Sequence, residues 1–200
     1  MRVTPETRER TRRDLLQAGT ELFAEVGFGA ATTRELARRA QVGVGTLFNY
    51  FASKEALAAA VLERSLRDAW DEREAEQRSD ESAEEALFAL VAAELRHLTP
   101  HRAWVAEVVE SGLSPLRRGA DEGVAALRSA HLERVQDALR QAGLAAPGEV
   151  SLHLYWTLYL GVLSFWSHDA SEHDAATLAL LDRSIQLFCR ALREDEPTEV

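Results

Sequence analysis

The sequence predicts an all-α protein, and three observations support that fold class. Alanine, leucine, arginine and glutamate are abundant, all of them good helix formers, whereas the 200 residues include only 11 glycines and 5 prolines. Apolar residues recur at helical spacing along most of the chain. No stretch shows the apolar–polar alternation of a half-buried strand. We therefore expect about nine helices, and the 46% hydrophobic content is enough to bury a core.

The first helix is expected over residues 7–26. Leu15, Leu22 and other apolar residues recur there at helical spacing, with charged residues between them. Gly27 and Gly29 follow directly and are expected to end the helix, because glycine readily adopts the backbone conformations found just past a helix C-terminus.

Two short helices are expected next. Thr32 and Glu35 fit the capping-box pattern, in which a hydroxyl and a carboxylate satisfy the free N–H groups of a helix start. The chain then turns through residues 41–43, and a third short helix begins near Val44. This spacing predicts two brief helices joined by a tight turn.

The remaining helices follow the same signals. Ser53 can cap a fourth helix that runs to about residue 77, and Ser82 with Glu85 forms a second capping box for a helix that ends near Leu98. A proline then breaks the pattern. Four more helices are expected: a short sixth over 104–109 closed by Gly112, a seventh from Ser114-Pro115 to about Ala142, an eighth over 149–167, and a ninth capped by Ser171 with Asp174.

Charge is divided unevenly along the chain. Residues 1–55 carry nine basic and seven acidic side chains, whereas residues 56–200 carry 14 basic and 26 acidic ones. Such asymmetry indicates that one end meets a polyanion, although chance scatter explains it equally well at this point. The chain lacks a long apolar span and an N-terminal signal pattern, so we expect a cytoplasmic protein. The single cysteine, Cys189, is expected to be an inert core thiol.

The two short helices predict a helix-turn-helix, a motif that places its second helix in the major groove of DNA. Val42, Leu47 and Phe51 are expected to face a small core, which leaves the opposite side of that helix for DNA. Asn49 there can pair with adenine through two hydrogen bonds. Lys54, in the first turn of the next helix, can meet a phosphate.

The chain resembles the TetR family of transcriptional regulators across residues 10–58. The segment TTRELARRAQVGVGTLFNYFASKEAL, residues 32–57, follows the family pattern nearly without gaps. The resemblance implies a homodimer with a DNA-binding domain, residues 1–55, and a helical domain, residues 56–200, that binds an effector and dimerises. Carried over by position, the DNA-contact residues are Thr33, Arg34, Val44, Gly45, Thr46, Phe48, Asn49, Tyr50 and Lys54.

Three positions depart from the family pattern. Gln41 stands where glycine is common, and if the turn needs a positive φ, glutamine costs ~1 kcal/mol there. Gly43 stands where a capping serine is common, which is a mild loss. Phe48 replaces a usual tyrosine, so any phosphate bond from that hydroxyl is absent, while the ring can still pack against a sugar or a thymine methyl.

Aromatic residues are concentrated in the second half, where they form either core packing or the lining of an effector cavity. We select Trp70, Trp104, Trp156 and Tyr159 as candidate pocket residues, which would suit a mainly apolar or aromatic ligand. Polar groups for such a pocket can come from His97, His101 and His153. No histidine pair has a helical metal-ligand spacing with supporting acids, so neither a metal site nor a cofactor is expected.

The last two helices carry more apolar surface than a lone monomer would expose. Leu158, Gly161 and Phe165 lie near one face of the eighth helix, and the ninth carries an apolar stripe. Together they can form an intersubunit four-helix bundle. The predicted dimer-interface residues are Leu158, Gly161, Phe165, Leu181, Ile185 and Phe188.

The sequence therefore predicts a ligand-responsive, DNA-binding regulator, with a repressor preferred. It would bind a palindromic operator as a dimer and be released by a small effector. The alternative is a helix-turn-helix adaptor or activator that acts through protein partners without an effector. No catalytic triad order, phosphate-binding glycine loop or metal cluster is recognisable, so an enzyme is not expected.

Overall fold

The computed structural model of the chain describes residues 4–76, 78, 80–109 and 122–195. Within these residues it is helical, without strands, and confirms the predicted fold class. Two short 3-10 turns, Thr99–His101 and Glu172–Asp174, separate some of the helices. The nine α-helices in the described part of the chain are α1 Pro5–Ala30, α2 Thr33–Arg39, α3 Val44–Tyr50, α4 Lys54–Glu76, α5 Ala83–Leu98, α6 Arg102–Val108, α7 Glu122–Gln141, α8 Glu149–His168 and α9 Ala175–Asp195.

Most of the predicted helix starts carry the expected caps. The Ser82 hydroxyl accepts from the Glu85 N–H, and the Glu85 carboxylate accepts from the Ser82 N–H, so this capping box is complete. These bonds lower the pKa of Glu85. Ser53 accepts from the Ala56 N–H at 2.9 Å at the start of α4. The predicted start of the seventh helix at Ser114 lies outside the described residues.

The first helix is interrupted where the sequence predicts its end. Gly27 has φ 80° and ψ 163°, a conformation that an L-residue rarely adopts, and it breaks the regular helix within α1. The helical start lies at Pro5, where Thr4 accepts from the Thr7 N–H, two residues before the predicted start. The chain therefore leaves the regular part of α1 at the glycine that the sequence singled out.

The chain divides into two compact units, and the first comprises Met1–Arg64 and Pro100–Leu127. Its core contains Leu15, Leu36, Leu47 and Leu57, which are fully buried. Phe23 packs against Phe28 and Trp104, with ring centroids 5.5 and 5.1 Å apart. This core holds α1, α2 and α3 together.

The second unit comprises Ser65–Thr99 and Arg128–Val200. In it α9 packs against both α5 and α8. Cys189 is buried in this core, as predicted, and burial raises the pKa of its thiol to about 11. The predicted domain boundary at residue 55 stays a prediction, since the compact units divide the chain within α4 and again within α7.

None of the helices in the described residues combines the length and the apolar character needed to cross a membrane.

Candidate functional site

The turn between α2 and α3 is closed by two backbone hydrogen bonds. The Gln41 N–H donates to the Arg38 carbonyl at 3.1 Å, and the Val42 N–H donates to the Ala37 carbonyl at 2.9 Å. This is the Schellman pattern, which places the residue after the helix in the left-handed region. Gln41 occupies that position with φ 55°. The turn therefore does need the positive φ on which the expected cost of Gln41 depended.

The start of α2 departs from the predicted reciprocal cap. The Thr32 hydroxyl accepts from the Glu35 N–H at 3.2 Å, as expected. The Glu35 carboxylate does not complete the box and instead binds Arg38 and Arg39. The hydrogen bond from Arg38 lowers the pKa of Glu35. These two arginines therefore form ion pairs with an acidic side chain of the same helix.

The inner side of α3 is fixed by apolar anchors. Leu47 and Phe51 are buried, as predicted, and Val42 is half-buried. Gly43 caps α3 without a side-chain bond, while its carbonyl accepts from the Thr46 and Leu47 N–H groups. The buried side of this seven-residue helix therefore fixes the orientation of α3.

The outer side of α3 carries most of the predicted DNA-contact residues. Val44 and Phe48 are 37% and 47% exposed, unusually high for large apolar side chains, and Asn49 is also exposed. A side chain added at Gly45 would meet no atom within 4 Å, so the first turn of α3 is open to close approach. Of the other predicted contacts, Arg34 is exposed, and Thr33, Thr46 and Tyr50 are half-buried.

Lys54 contacts groups that the sequence did not predict. Its Nζ donates to the carbonyls of Phe28, Gly29 and Ala31 at 2.7, 3.3 and 3.0 Å. The ammonium also lies 4.3 Å from the centroid of the Phe28 ring, a cation–π distance. Lys54 therefore ties the start of α4 to the segment that follows the break in α1, and its phosphate contact stays a prediction.

The same segment is bound from α6. The Glu107 carboxylate accepts from the Gly29 N–H at 2.5 Å. Its other oxygen would lie 3.2 Å from a Cβ at Gly27, a tight contact, and the backbone conformation with φ 80° favours glycine there. A cation from α4 and an anion from α6 thus hold one short segment beside the helix-turn-helix.

The predicted pocket residues do not form a single set. Trp104 lies in the first unit and packs against Phe23 and His101, whereas the other three lie in the second unit, so its place in a shared pocket stays a prediction. Trp156 and Tyr159 lie together in the second unit, with ring centroids 5.4 Å apart. All of the predicted pocket residues are buried.

Sequence reasoning missed a buried polar cluster next to those rings. Glu94 is fully buried and accepts from the Trp70 indole N–H at 2.6 Å. His131, also buried, lies with Nδ1 2.9 Å from the same carboxylate and Nε2 3.2 Å from the Tyr155 hydroxyl. Burial, followed by the negative charge of Glu94, raises the pKa of Tyr155 and Tyr159 well above the ordinary value.

The histidines proposed from the sequence lie elsewhere. His97 contacts Glu72 at 2.6 Å, and His153 is exposed, 3.5 Å from Arg128. His101 packs against Trp104, and burial lowers its pKa. The sequence carried a signal for the buried cluster, because Glu94 and His131 each occupy a place in an otherwise apolar helical stripe.

Two spaces in the second unit adjoin these residues. A cleft of about 150 Å³ is lined by Trp70 and Leu90, with Arg73 and Arg134 among its polar residues. A much smaller space of about 10 Å³ is lined by Tyr155 and Tyr159 together with mainly apolar side chains. Across the described residues, no group of three or more histidine, cysteine or acidic side chains is arranged to hold a metal ion.

The predicted dimer residues separate into two groups. Leu181, Ile185 and Phe188 are at most 4% exposed within one chain, so they pack in its own core and offer a partner little surface. Phe165 is 45% exposed, Gly161 is exposed and Leu158 is half-buried. The interface role of this second group stays a prediction.

The chain matches a known family in its N-terminal region. Residues 15–61 match the model described as bacterial regulatory proteins, tetR family. The HTH-type transcriptional repressor Rv3405c of Mycobacterium tuberculosis strain H37Rv is 42% identical over 62 residues, which are 31% of this chain and 33% of that protein. The match thus spans about a third of that relative's length.

Solved structures are similar over nearly the whole chain. A TetR transcriptional regulator from Rhodococcus sp. RHA1 has a TM-score of 0.71 at 24% identity and covers 90% of this chain and 96% of its own. Thermus thermophilus FadR, a TetR-family repressor in complex with lauroyl-CoA, has a TM-score of 0.65 at 21% identity, covering 94% and 96%. At these identities the likeness shows the fold.

Proposed function

Because the chain belongs to the TetR family through its N-terminal domain, we propose that it is a transcriptional regulator that binds duplex DNA through α3. The observation that carries the proposal is the two-sidedness of α3: Leu47 is buried while Val44, Phe48 and Asn49 face outward. Exposed apolar groups can contact thymine methyls, and an exposed asparagine can pair with adenine.

The proposed DNA-contact set has two parts with different tasks. Asn49, Phe48 and Val44 would contact base edges, and Gly45 would allow the backbone to approach them. The others would position the protein on the phosphate backbone: Thr33, Arg34, Thr46, Tyr50 and Lys54. Lys54 would do this in addition to, or in place of, its bonds to the three carbonyls.

We propose that the regulator acts as a homodimer on a roughly palindromic operator. The exposed apolar residues of α8 support this arrangement, since Leu154 and Phe165 are 42% and 45% exposed on a face that also contains Gly161. A twofold axis there would present two α3 helices to successive major grooves, about one turn or ~34–36 Å apart.

The second unit would hold a small, mainly apolar or aromatic effector whose binding causes the protein to release DNA. The protein would then act as a repressor, and we place it in the cytoplasm. Its buried rings support this proposal, as does the fold neighbour that was solved with lauroyl-CoA. An effector acts only through its different affinity for the two states, and a ~100-fold difference is worth roughly 2.7 kcal/mol.

A second candidate is an adaptor or activator that works through protein partners without an effector. The small size of the apolar space beside Tyr155 and Tyr159, about 10 Å³, supports this alternative, whereas the cleft of about 150 Å³ beside Trp70 supports an effector. Saturation with a true effector would separate the candidates, since only the regulator proposal predicts a change in DNA affinity.

Protection mapping of fragments from the source genome tests the DNA-binding proposal. We expect a protected stretch with a roughly twofold-symmetric sequence, whose protection weakens as salt rises because arginines replace condensed counterions. Val150→Ala is a suitable control, since Val150 is 84% exposed in the second unit. A uniform absence of protection at low salt would overturn the proposal.

A further inference from the structure

A carboxylate lies in the core of the second unit. Glu94 is 0% exposed and takes a position in the apolar stripe of α5 beside Val91 and Leu95. A buried charge is costly unless other groups compensate it. The groups around Glu94 therefore need to be accounted for one by one.

One oxygen of Glu94 is well supplied with donors. Oε1 accepts from the Trp70 indole N–H at 2.6 Å and lies 2.9 Å from His131 Nδ1. Because His131 Nε2 lies 3.2 Å from the Tyr155 hydroxyl, the network is satisfied when Nδ1–H donates to Glu94 and Nε2 accepts from Tyr155. In that arrangement Trp70 and His131 both donate to Oε1, and neither donates to Oε2.

The other oxygen of Glu94 has no donor within hydrogen-bond distance, although the Tyr159 hydroxyl interacts with this carboxylate and its pKa is raised in part by that contact. Oε2 is buried and has no hydrogen-bond partner among the described residues. Proteins seldom leave such an atom unpaired, and an unexplained one indicates a missing partner. The missing group must be a hydrogen-bond donor, and a positive charge on it would balance the carboxylate.

The rings around this oxygen also favour a cation. Tyr159 stacks on His131 at 4.1 Å, and Trp156 lies 5.4 Å from Tyr159. Aromatic faces carry negative potential and attract cations. Two arginines already use the neighbouring indoles in this way: Arg134 lies 5.5 Å from the Trp70 ring and Arg128 5.7 Å from the Trp156 ring.

Trp70 connects the buried cluster with a space for a ligand. Its indole binds Glu94 on one side and lines the cleft of about 150 Å³ on the other. Leu90, one turn before Glu94 in α5, lines the same cleft. A cavity of about this volume holds a single benzene ring. Trp70 therefore lies between the cleft and the Glu94 carboxylate.

The mouth of the cleft is close to electrically balanced. Arg73 pairs with Glu81, and Arg134 lies 3.9 Å from Glu74. Asp137 also lines the opening. The arginines there do not offset the buried carboxylate, so the interior favours positive charge.

We propose that Glu94 anchors a site for a cationic ligand, in which a protonated amine or amidine donates to Oε2 and an apolar or aromatic body of about one ring fills the cleft. This inference rests on the proposed function and names the charge class of its effector. It also separates this chain from the fold neighbour solved with lauroyl-CoA, an anionic ligand that a buried carboxylate would repel.

Calorimetric titration with three matched one-ring probes tests the inference on the full chain. Benzylamine is cationic, benzyl alcohol is neutral and benzoate is anionic at neutral pH. We expect benzylamine to bind at least about tenfold more tightly than the alcohol, and benzoate more weakly than either. Equal binding of amine and alcohol, tighter binding of benzoate or lauroyl-CoA, or no binding of any probe would overturn the inference without requiring a variant.

Two carboxamide variants then locate the effect. In Glu94→Gln the preference for the amine should fall below about threefold, because the charge is lost while the shape is kept. Glu133→Gln is the matched control, since it removes an exposed carboxylate of α7 in the same unit that does not line the cleft. The control should keep the preference, and a preference that persists in Glu94→Gln would contradict the role of Glu94.

DNA protection with and without benzylamine separates this inference from the proposed function. Protection of an operator by a chain that shows no preference for the amine would overturn the inference and leave the proposed function standing. Selective amine binding by a chain that protects no DNA would overturn the proposed function and leave the amine-binding site standing.

Discussion

The two compact units place their distinctive polar groups in opposite ways. In the first unit the residues proposed to contact DNA lie outside, with Asn49 exposed on α3 above a buried Leu47. In the second unit Glu94 and His131 lie inside, surrounded by aromatic rings. An exposed surface suits a large, charged and preformed partner, whereas a buried cluster suits a small ligand that must leave water to enter.

The largest expected effect comes from the anchor of α3. Leu47→Ala should lower the free energy of unfolding by about 2–5 kcal/mol, because it removes a fully buried side chain and leaves a cavity. Val44→Ala, on the exposed side of the same helix, should change it by less than ~0.5 kcal/mol. Urea denaturation of both variants measures the contrast, and equal losses would show that α3 is not two-sided.

Lys54→Met sharpens the comparison between a structural and a phosphate-binding cation. Loss of three charge-assisted bonds to carbonyls should lower the free energy of unfolding by about 1–3 kcal/mol, measured by urea denaturation. If those bonds are the main role of Lys54, the slope of log DNA affinity against log salt concentration should be the same in Lys54→Met as in the unmodified chain. A slope reduced by about one would instead identify Lys54 as a phosphate contact. Arg64→Met, on the same helix, serves as the control.

Gln41→Gly should stabilise the first unit. Gln41 has a positive φ that glycine adopts without strain, so the variant should gain about 0.5–1 kcal/mol over Gln41→Ala, which keeps the strain. Thermal unfolding of the two variants gives the difference. A glycine variant no more stable than the alanine variant would show that the turn is not strained.

The smallest expected effect is a pH dependence confined to the second unit. Asp169 accepts from the Thr177 hydroxyl and N–H and from the Ser171 N–H, which lowers its pKa. The folded pKa lies below the unfolded value, so the carboxylate stabilises the fold above about pH 4 and loses this effect as the pH falls further.

Asp169→Asn should therefore flatten the fall in melting temperature between about pH 4 and pH 2. Asp182→Asn is the control, since the Asp182 carboxylate accepts a single bond from Gln186 on the exposed side of α9. Parallel curves for Asp169→Asn and the unmodified chain would contradict the assignment.

Local patterns were sufficient to predict the helix starts and turns of residues 27–57. The caps at Thr32 and Ser53, the break at Gly27 and the strained turn at Gln41 each depend on residues within a few positions of one another. Hydrophobic spacing then identified the buried side of α3. The positions of α3 not assigned to the core were predicted to be exposed, and most of the predicted DNA-contact residues of this helix do lie on its exposed side.

Contacts between distant residues could not be predicted in this way. Glu107 binds Gly29 across 78 positions, and Lys54 binds carbonyls 23 to 26 positions away, so no local spacing encodes either contact. The division of the predicted pocket residues between the two units could not be predicted either, because composition does not say which helices meet. Glu94 and His131, each within an otherwise apolar helical stripe, were the local signs of the buried cluster.

The central claim is that the outer side of α3 binds duplex DNA. Fluorescence anisotropy with the protected operator fragment tests it on the double variant Phe48→Ala/Asn49→Ala, whose two side chains are exposed and contribute little to the core. We predict that its melting temperature is unchanged while its operator affinity falls at least about tenfold, with Val150→Ala binding normally. Unchanged operator affinity in a folded double variant would contradict the account.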